Sequence, residues 1–221
     1  MPRRARPARA APTLFAVDGR RILVVMAAQA EYGPALQARL RPAMIGVGPV
    51  EAAIGATRAL EACLDAGGPP DLALSLGSAG SNRLEQGAVY QIASVSYRDM
   101  DASALGFVKG VTPFVDHPPT IALPYRLPDI PVATLSTGAD IVSGAAYAAI
   151  EADMVDMESF AVLRACAAFG VPMIGLRGVS DGAKDLHHYD DWTALLGHID
   201  AEMAAIVDRL GDLLARSRRV A

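Results

Sequence analysis

The chain has 221 residues, of which 52% are apolar and 20% charged, and this balance excludes a protein that is disordered over most of its length. Its formal net charge of −4 gives no indication of nucleic-acid binding. No apolar run approaches the about 20 residues needed to cross a bilayer, so we predict no membrane contact.

The N-terminal segment differs in composition from the rest of the chain. Residues 1–12 (MPRRARPARAAP) are rich in Arg, Ala and Pro and contain no acidic residue. They lack the continuous apolar segment of a secretory signal, so nothing indicates export and we expect a cytoplasmic protein. The sequence therefore predicts a disordered tail over residues 1–20 and a single domain over residues 21–221.

Apolar runs alternate with helical patterns along the rest of the chain. The runs predict strands at residues 21–26, 72–76, 90–95, 131–135, 154–157 and 173–179. Several runs are too apolar to have one exposed face, which is typical of parallel strands that are buried on both sides. The helical patterns lie at residues 49–66, 159–169 and 191–216, and we expect the last to be one long amphipathic helix.

This alternation predicts an α/β fold, a single three-layer αβα domain with a central mixed, mainly parallel sheet. Residues 99–124 do not fit either pattern, because they contain Gly and Pro and show little periodicity. They are predicted to form a long loop. Loops of this length in compact domains are usually functional or lie at an interface.

Acidic residues follow several predicted strands at the point where each strand ends. Glu31 follows the first strand, Glu158 the fifth and Asp181 the sixth, and a turn of small residues at 77–81 (GSAGS) is predicted after the second. In open α/β sheets, ligands bind outside the carboxyl ends of the strands. One acidic residue after a strand is usually a helix cap or a solvated loop residue. Together, these residues predict a site for acid–base chemistry on a polar small molecule.

Other motifs point away from cofactors and metals. The segment 46–49 (GVGP) begins like a dinucleotide-binding fingerprint, but Pro49 follows the second glycine, which makes a Rossmann-type oxidoreductase improbable. Its backbone N–H groups could still bind a hydroxyl, an anion or a water. The four histidines form no metal-binding pattern and are predicted to be surface residues: His117, His187, His188 and His198.

Five segments, LGSAGS (76–81), SYRDMDASALGF (96–107), LSTGADIV (135–142), VDMESFAV (155–162) and LRGVSDGA (176–183), occur in the order of a known family. The chain resembles the 5′-methylthioadenosine/S-adenosylhomocysteine nucleosidases of the purine nucleoside phosphorylase superfamily, over nearly its whole length after the tail. The resemblance implies a nucleoside phosphorylase-like fold, no cofactor, a small-molecule nucleoside substrate and a homodimer. It also implies hydrolysis of the N-glycosidic bond, which releases adenine and the 5-thio-substituted ribose.

The resemblance implies roles for the acidic residues and their neighbours. Asp181 matches the general acid that protonates N7 of the departing purine, and Glu31 matches the residue that holds and activates the attacking water. Glu158 and Met157 match the pair that lines the ribose, with the Glu158 carboxylate accepting hydrogen bonds from its hydroxyls. From the sequence, burial would raise the pKa of Asp181, whereas Arg177 could keep Asp181 ionised, and both outcomes stay open.

The resemblance also implies substrate contacts elsewhere. At the junction of sugar and base, and around the base, the matching positions are Ser78, Ala79, Gly80, Ile141, Val142 and Ser180. Ile141 stands where an aromatic residue often stacks on the purine. In the family, a residue from the region that corresponds to 107–135, which overlaps the predicted loop, covers the 5′ substituent in the partner subunit's site, and the candidates are Phe107, Pro113 and Phe114.

The nucleophile and the substrate leave alternatives. Phosphorylases of this superfamily place an Arg shortly before the Gly-Ser segment, whereas this chain has Leu-Ser-Leu at 74–76, which favours water. A phosphorylase, or a nucleosidase for another purine nucleoside such as futalosine, is the first alternative. A non-catalytic nucleoside-binding module is the second, and three converging carboxylates argue against it because binding alone does not require them.

Overall fold

A computed structural model describes residues 12–182 and 184–219. Most strands of this part of the chain join one mixed sheet, and a short pair lies apart from it. The strands are β1 (Phe15–Val17), β2 (Arg20–Met26), β3 (Ala43–Met44), β4 (Leu72–Gly80), β5 (Val89–Tyr97), β6 (Thr120–Ala122), β7 (Tyr125–Arg126), β8 (Val132–Thr137), β9 (Met154–Asp156), β10 (Met173–Asp181) and β11 (Arg218–Arg219).

The helices flank the sheet, and they are α1 (Pro34–Gln37), α2 (Pro49–Asp65), α3 (Ser159–Ala168), α4 (Tyr189–Thr193), α5 (Leu196–Asp208) and α6 (Leu210–Ala215). The predictions for α2 and α3 are confirmed to within one residue. The prediction of one helix over residues 191–216 is wrong, because the chain breaks before Leu196 and again at Arg209. The second break lets Gly211 lie against Asp18 and Val17 of the N-terminal hairpin.

Three further expectations need correction. The predicted tail, residues 1–20, contains β1, which pairs antiparallel with β2; the part at residues 1–11 lies outside the described residues. The small residues 77–80 do not form a turn after β4 but belong to the strand, because they continue its parallel pairing with β10. The predicted loop 99–124 also contains β6, which pairs with β5.

The sheet has the order β1-β2-β4-β10-β5-β8-β9, and β9 pairs back to β4 through Val155 and Gly80. Strands β4, β10, β5, β8 and β9 thus form a closed arrangement. The pairings β2–β4, β4–β10, β5–β8 and β8–β9 are parallel, whereas β10–β5 and β4–β9 are antiparallel. The mixed sheet is therefore confirmed, while the description as three layers stays a prediction.

Two apolar cores lie on opposite faces of strands β2 and β4, because successive side chains of a strand point to opposite faces. Leu23 and Val25 pack in the core that contains α2 and α3, whereas Ile22 and Val24 pack in the core that contains α5 and α6. None of the helices in residues 12–182 and 184–219 has both the length and the apolar character of a membrane span.

Candidate active site

A cavity of about 850 Å³ opens where several strands end, a volume in the range of small-molecule sites. Its wall includes the segment that follows β2, the last residues of β4, the segments after β5 and β8, and the ends of β9 and β10. Five acidic residues face or border it: Glu31, Asp140, Asp156, Glu158 and Asp181. The carboxyl ends of the strands thus meet at one place, as the sequence predicts.

Glu31 lies in a short 3₁₀ turn directly after β2, and Ser78 of β4 fixes its carboxylate. Oε1 of Glu31 accepts hydrogen bonds from the Ser78 backbone N–H at 2.6 Å and from the Ser78 hydroxyl at 2.7 Å. The indole N–H of Trp192, in α4, donates to the same hydroxyl oxygen at 2.9 Å. A series of hydrogen bonds therefore leads from Trp192 through Ser78 to Glu31.

Glu158 stands between β9 and α3, and the glycine segment before α2 binds its carboxylate. The backbone N–H of Gly48 donates to Oε1 of Glu158 at 2.8 Å, which confirms that this segment offers a backbone donor. Gly48 has φ of +88°, a conformation that favours glycine. Burial and the neighbouring Asp156 together raise the pKa of Glu158 to about 7.

Arg177 lies behind the cavity wall and pairs with Asp156, not with Asp181. Its Nε donates to Asp156 Oδ2 at 3.2 Å, and both side chains are buried. Its other hydrogen bonds go to Ser75 and Ser159 and to the carbonyl of Leu176. The positive charge of Arg177 offsets part of the effect of Asp156 on Glu158, and the pairing occupies the guanidinium.

Asp181 is the last residue of β10, and its carboxyl is largely buried. Burial raises the pKa of this carboxyl, while the hydrogen bond that Ser180 Oγ donates to Oδ2 at 2.7 Å opposes the rise. Of the two outcomes left open by the sequence, burial therefore prevails over pairing with Arg177. Asp181 therefore keeps its proton up to a higher pH than an exposed aspartic acid does.

The sequence matches the model of the phosphorylase superfamily over residues 39–211. The chain belongs to the phosphorylase superfamily. A 5′-methylthioadenosine/S-adenosylhomocysteine nucleosidase of Haemophilus influenzae (strain 86-028NP) is 31% identical over 75% of this chain and 79% of the relative. The resemblance to these nucleosidases is thereby confirmed.

A second curated relative and one solved structure are also similar to this chain. A nucleosidase of the same name from Actinobacillus succinogenes is 31% identical over 62% of this chain, and the match spans 65% of the length of that curated relative. The crystal structure of the 5′-methylthioadenosine/S-adenosyl homocysteine nucleosidase of Campylobacter jejuni has a TM-score of 0.72 at 21% identity, over 88% of this chain and 100% of that chain. This structural likeness shows the nucleoside phosphorylase-like fold.

Within this phosphorylase-superfamily fold, most of the predicted site residues line the cavity: Glu31, Ser78, Ala79, Gly80, Ile141, Val142, Met157, Glu158 and Asp181. Four do not. Ser180 is buried behind Asp181 and contacts it, while Phe107, Pro113 and Phe114 lie in the 99–124 loop, outside the cavity of a single chain. The Phe107 ring meets Phe114 edge to face, with centroids 5.6 Å apart.

The cavity also contains residues that sequence reasoning missed. Arg98 follows β5 and donates to the carbonyls of Ser136 in β8, Asp156 in β9 and Asp140 after β8, so it connects the ends of these two strands. It lies in the SYRDMD motif, which is the signal that could have found it. Further lining residues are Gln29, Val47, His187, His188, Tyr189 and Trp192. The two histidines are exposed, as predicted, but they also form part of the cavity wall.

Proposed function

We propose that this chain hydrolyses the N-glycosidic bond of 5′-methylthioadenosine, S-adenosylhomocysteine or both, and releases adenine and the 5-thio-substituted ribose. The observation that carries the proposal is the convergence of Glu31, Glu158 and Asp181 on one cavity. The names of the curated relatives support the substrate class. The reaction proposed needs no cofactor, because acid, base and nucleophile come from side chains and water.

Asp181 acts in this proposal as the general acid. A purine leaves poorly as an anion, so a proton delivered to N7 as the C1′–N9 bond breaks lowers the barrier, and such catalysis contributes roughly 10²–10⁴-fold. An aspartic acid can do this near neutral pH only if its pKa is raised. Burial at the end of β10 acts in that direction on Asp181.

Glu31 acts as the base that holds the attacking water. Ser78 donates two hydrogen bonds to Oε1, whereas Oε2 accepts one long bond, from the Ala28 backbone N–H at 3.4 Å, so Oε2 is the oxygen with room to accept from the water. The ribosyl group becomes positively charged in the transition state, and the nearby carboxylates of Glu31 and Glu158 stabilise that charge. Glu158 also accepts hydrogen bonds from the ribose hydroxyls.

The remaining lining residues hold the nucleoside. Ser78, Ala79 and Gly80 form one wall at the junction of sugar and base, and Met157 packs on the ribose. Val142, with Ile141 beside it, borders the base. Ser180 supports Asp181 instead of contacting the substrate, since its hydroxyl is committed to that carboxylate.

Water rather than phosphate is the proposed nucleophile. Residues 74–76, directly before Gly77 in β4, have apolar and hydroxyl side chains. Arg177, in the neighbouring strand β10, forms an ion pair with Asp156. Arg98 is the one arginine among the described residues that line the cavity. Its guanidinium donates hydrogen bonds to three backbone carbonyls. These contacts leave no preformed arginine clamp for a phosphate on this wall.

A homodimer is the proposed assembly, in which the 99–124 loop covers the 5′ substituent in the site of the other subunit. The loop presents apolar side chains to solvent in the single chain: Leu105 is 79% exposed, Val108 63% and Phe114 97%. Burial of such side chains in a partner would favour a methylthio group over a free hydroxyl. Sedimentation should show a dimer, and an active monomer would contradict this assembly.

The test of the activity is incubation of the purified chain with 5′-methylthioadenosine, with and without phosphate, followed by chromatography of the products. Adenine and free methylthioribose, in amounts independent of phosphate, are expected. A phosphate-dependent sugar phosphate would assign the chain to the phosphorylases instead. An absence of adenine would mean that the cavity serves another nucleoside.

A further inference from the structure

The hydroxyl of Tyr147 is a buried polar group without a hydrogen-bond partner. Within residues 12–182 and 184–219, it is the buried side-chain polar atom that lacks one. Tyr147 lies in the 3₁₀ turn Gly144–Ala149 and is 4% exposed. A buried hydroxyl without a hydrogen-bond partner costs about 1–3 kcal/mol of stability, so its presence calls for an explanation. A hydrogen-bond acceptor that becomes available during the reaction supplies one.

The surroundings of this hydroxyl identify the partner. The ring packs against Val142 and Val155, which separate it from the cavity. A methyl group added to Gly80 would overlap the Tyr147 hydroxyl oxygen and would lie 2.8 Å from Oδ1 of Asp181. The two oxygens therefore adjoin the same side of Gly80. The negative charge of Asp181, together with burial, raises the pKa of the Tyr147 phenol.

The two oxygens of Asp181 have different surroundings. Oδ2 accepts a hydrogen bond from Ser180 Oγ, whereas Oδ1 is the oxygen that faces Gly80 and Tyr147. When the carboxyl gives up its proton, both oxygens carry negative charge at a place where burial disfavours the charged form. A donor at each oxygen then stabilises the carboxylate, because hydrogen bonds to charged groups are stronger than those between neutral groups.

We propose that Tyr147 is a positioning residue for Asp181, whose hydroxyl donates to Oδ1 as the proton of Asp181 passes to N7 of the purine. The electron pair of the C1′–N9 bond moves into the purine, which leaves as a neutral base, and water supplies the hydroxyl at C1′ while its second proton passes to Glu31. The Ser180 and Tyr147 hydroxyls then hold the two oxygens of the carboxylate. This inference rests on the proposed function.

Tyr147 does not contact the substrate in this account. Its hydroxyl oxygen is buried behind Gly80, and the side chains of Val142 and Val155 cover its ring on the cavity side. A substitution that removes only the hydroxyl should therefore leave substrate affinity nearly unchanged. It should act on the chemical step instead.

The test is Tyr147→Phe, which removes the hydroxyl and keeps the ring. With 5′-methylthioadenosine as substrate, we expect kcat to fall about tenfold at unchanged KM. Loss of the donor raises the pKa of Asp181, so the alkaline limb of the kcat profile should move up by about one pH unit. The control is Tyr125→Phe, which removes the hydroxyl of a tyrosine in β7 that packs against the α5–α6 core. Its kcat and the position of its alkaline limb should equal those of the parent.

A second readout does not depend on turnover. The pKa of Asp181, followed by ¹³C NMR of its carboxyl carbon, should be higher in Tyr147→Phe than in the parent. An equal pKa, or a loss of thermal stability and kcat without a shift of the alkaline limb, would overturn the inference. Failure of the proposed function would show differently, because the parent itself would release no adenine while the NMR comparison would still report on the contact.

Discussion

At the scale of single residues, the hydrogen bonds around Ser78 orient the proposed base. Trp192 donates to the Ser78 oxygen, so the hydroxyl hydrogen is directed to Glu31. Oε1 of Glu31 is thus occupied by two donors from one residue, and the carboxylate has a single orientation. A base held in this way loses little freedom when it binds the water, which is a recognised source of rate enhancement.

The indole N–H can be removed while an aromatic ring is kept. Trp192→Phe should lower kcat for adenine release about two- to tenfold, because it frees the Ser78 hydroxyl to rotate away from Glu31. Ser78→Ala removes the same contact from the other side. If the contact acts through Ser78, the double variant should be no slower than Ser78→Ala alone. Additive losses would show that Trp192 acts by packing.

The residues of the site differ in how far the sequence could predict them. Asp181, Glu31 and Glu158 lie at or shortly after the ends of apolar strands, so the strand pattern alone predicts that they meet at one edge. Trp192 and Tyr147 carry no comparable local signal. Trp192 meets Ser78 from 114 positions along the chain, and such a contact depends on how α4 packs.

At the scale of elements, a buried aspartate joins α5 to the short helix α1, which follows the Glu31 turn. Asp200 is 2% exposed, and its two oxygens accept from the backbone N–H groups of Ala35 at 2.8 Å and Leu36 at 3.1 Å. The first N–H groups of a helix have no partner within it, and an acidic side chain also matches the helix dipole there. This cap fixes the segment that carries Glu31.

Removal of the cap should destabilise the fold. Asp200→Ala leaves two buried N–H groups without a partner, so the free energy of unfolding should fall by about 1–3 kcal/mol. Asp200→Asn keeps one acceptor oxygen and should cost less. Urea denaturation of the three proteins measures the differences. Equal stabilities would mean that water satisfies α1 as well as Asp200 does.

The elements also show why local patterns mislead. The segment GSAGS at 77–81 has the small residues of a turn, yet pairing with β10 keeps residues up to Gly80 in the strand. The apolar spacing over 191–216 is helical throughout, but the helix breaks twice while its apolar residues stay in one core. Hydrophobic periodicity reports which face is buried, and it does not report where the backbone bends.

At the scale of the whole molecule, the closed strand arrangement brings several acidic side chains to one cavity. The net charge of the chain is also negative. Burial raises the pKa of both Glu158 and Asp181. A carboxyl with a higher pKa in the folded than in the unfolded state binds more protons when folded. It therefore stabilises the fold at low pH, and this contribution is lost as the pH rises through the folded-state value.

The stability of the protein should reflect Glu158 in particular. Its pKa rises from the ordinary 4.5 to about 7, so the free energy of unfolding should decline between these pH values and level off above them. Glu158→Gln should remove a part of this decline, on the order of 1–3 kcal/mol. Denaturation of both proteins at pH 5 and pH 8 measures it. Parallel pH dependences would contradict the raised pKa of Glu158.

The measurement that tests the central claim most directly is the rate of adenine release from 5′-methylthioadenosine by Asp181→Asn beside the parent chain. The amide resembles the carboxyl in shape but has no proton to give to N7. We predict a rate at least about 10²-fold lower, with binding of the nucleoside retained. Turnover equal to that of the parent would contradict the assignment of Asp181 as the acid and, with it, this account of the site.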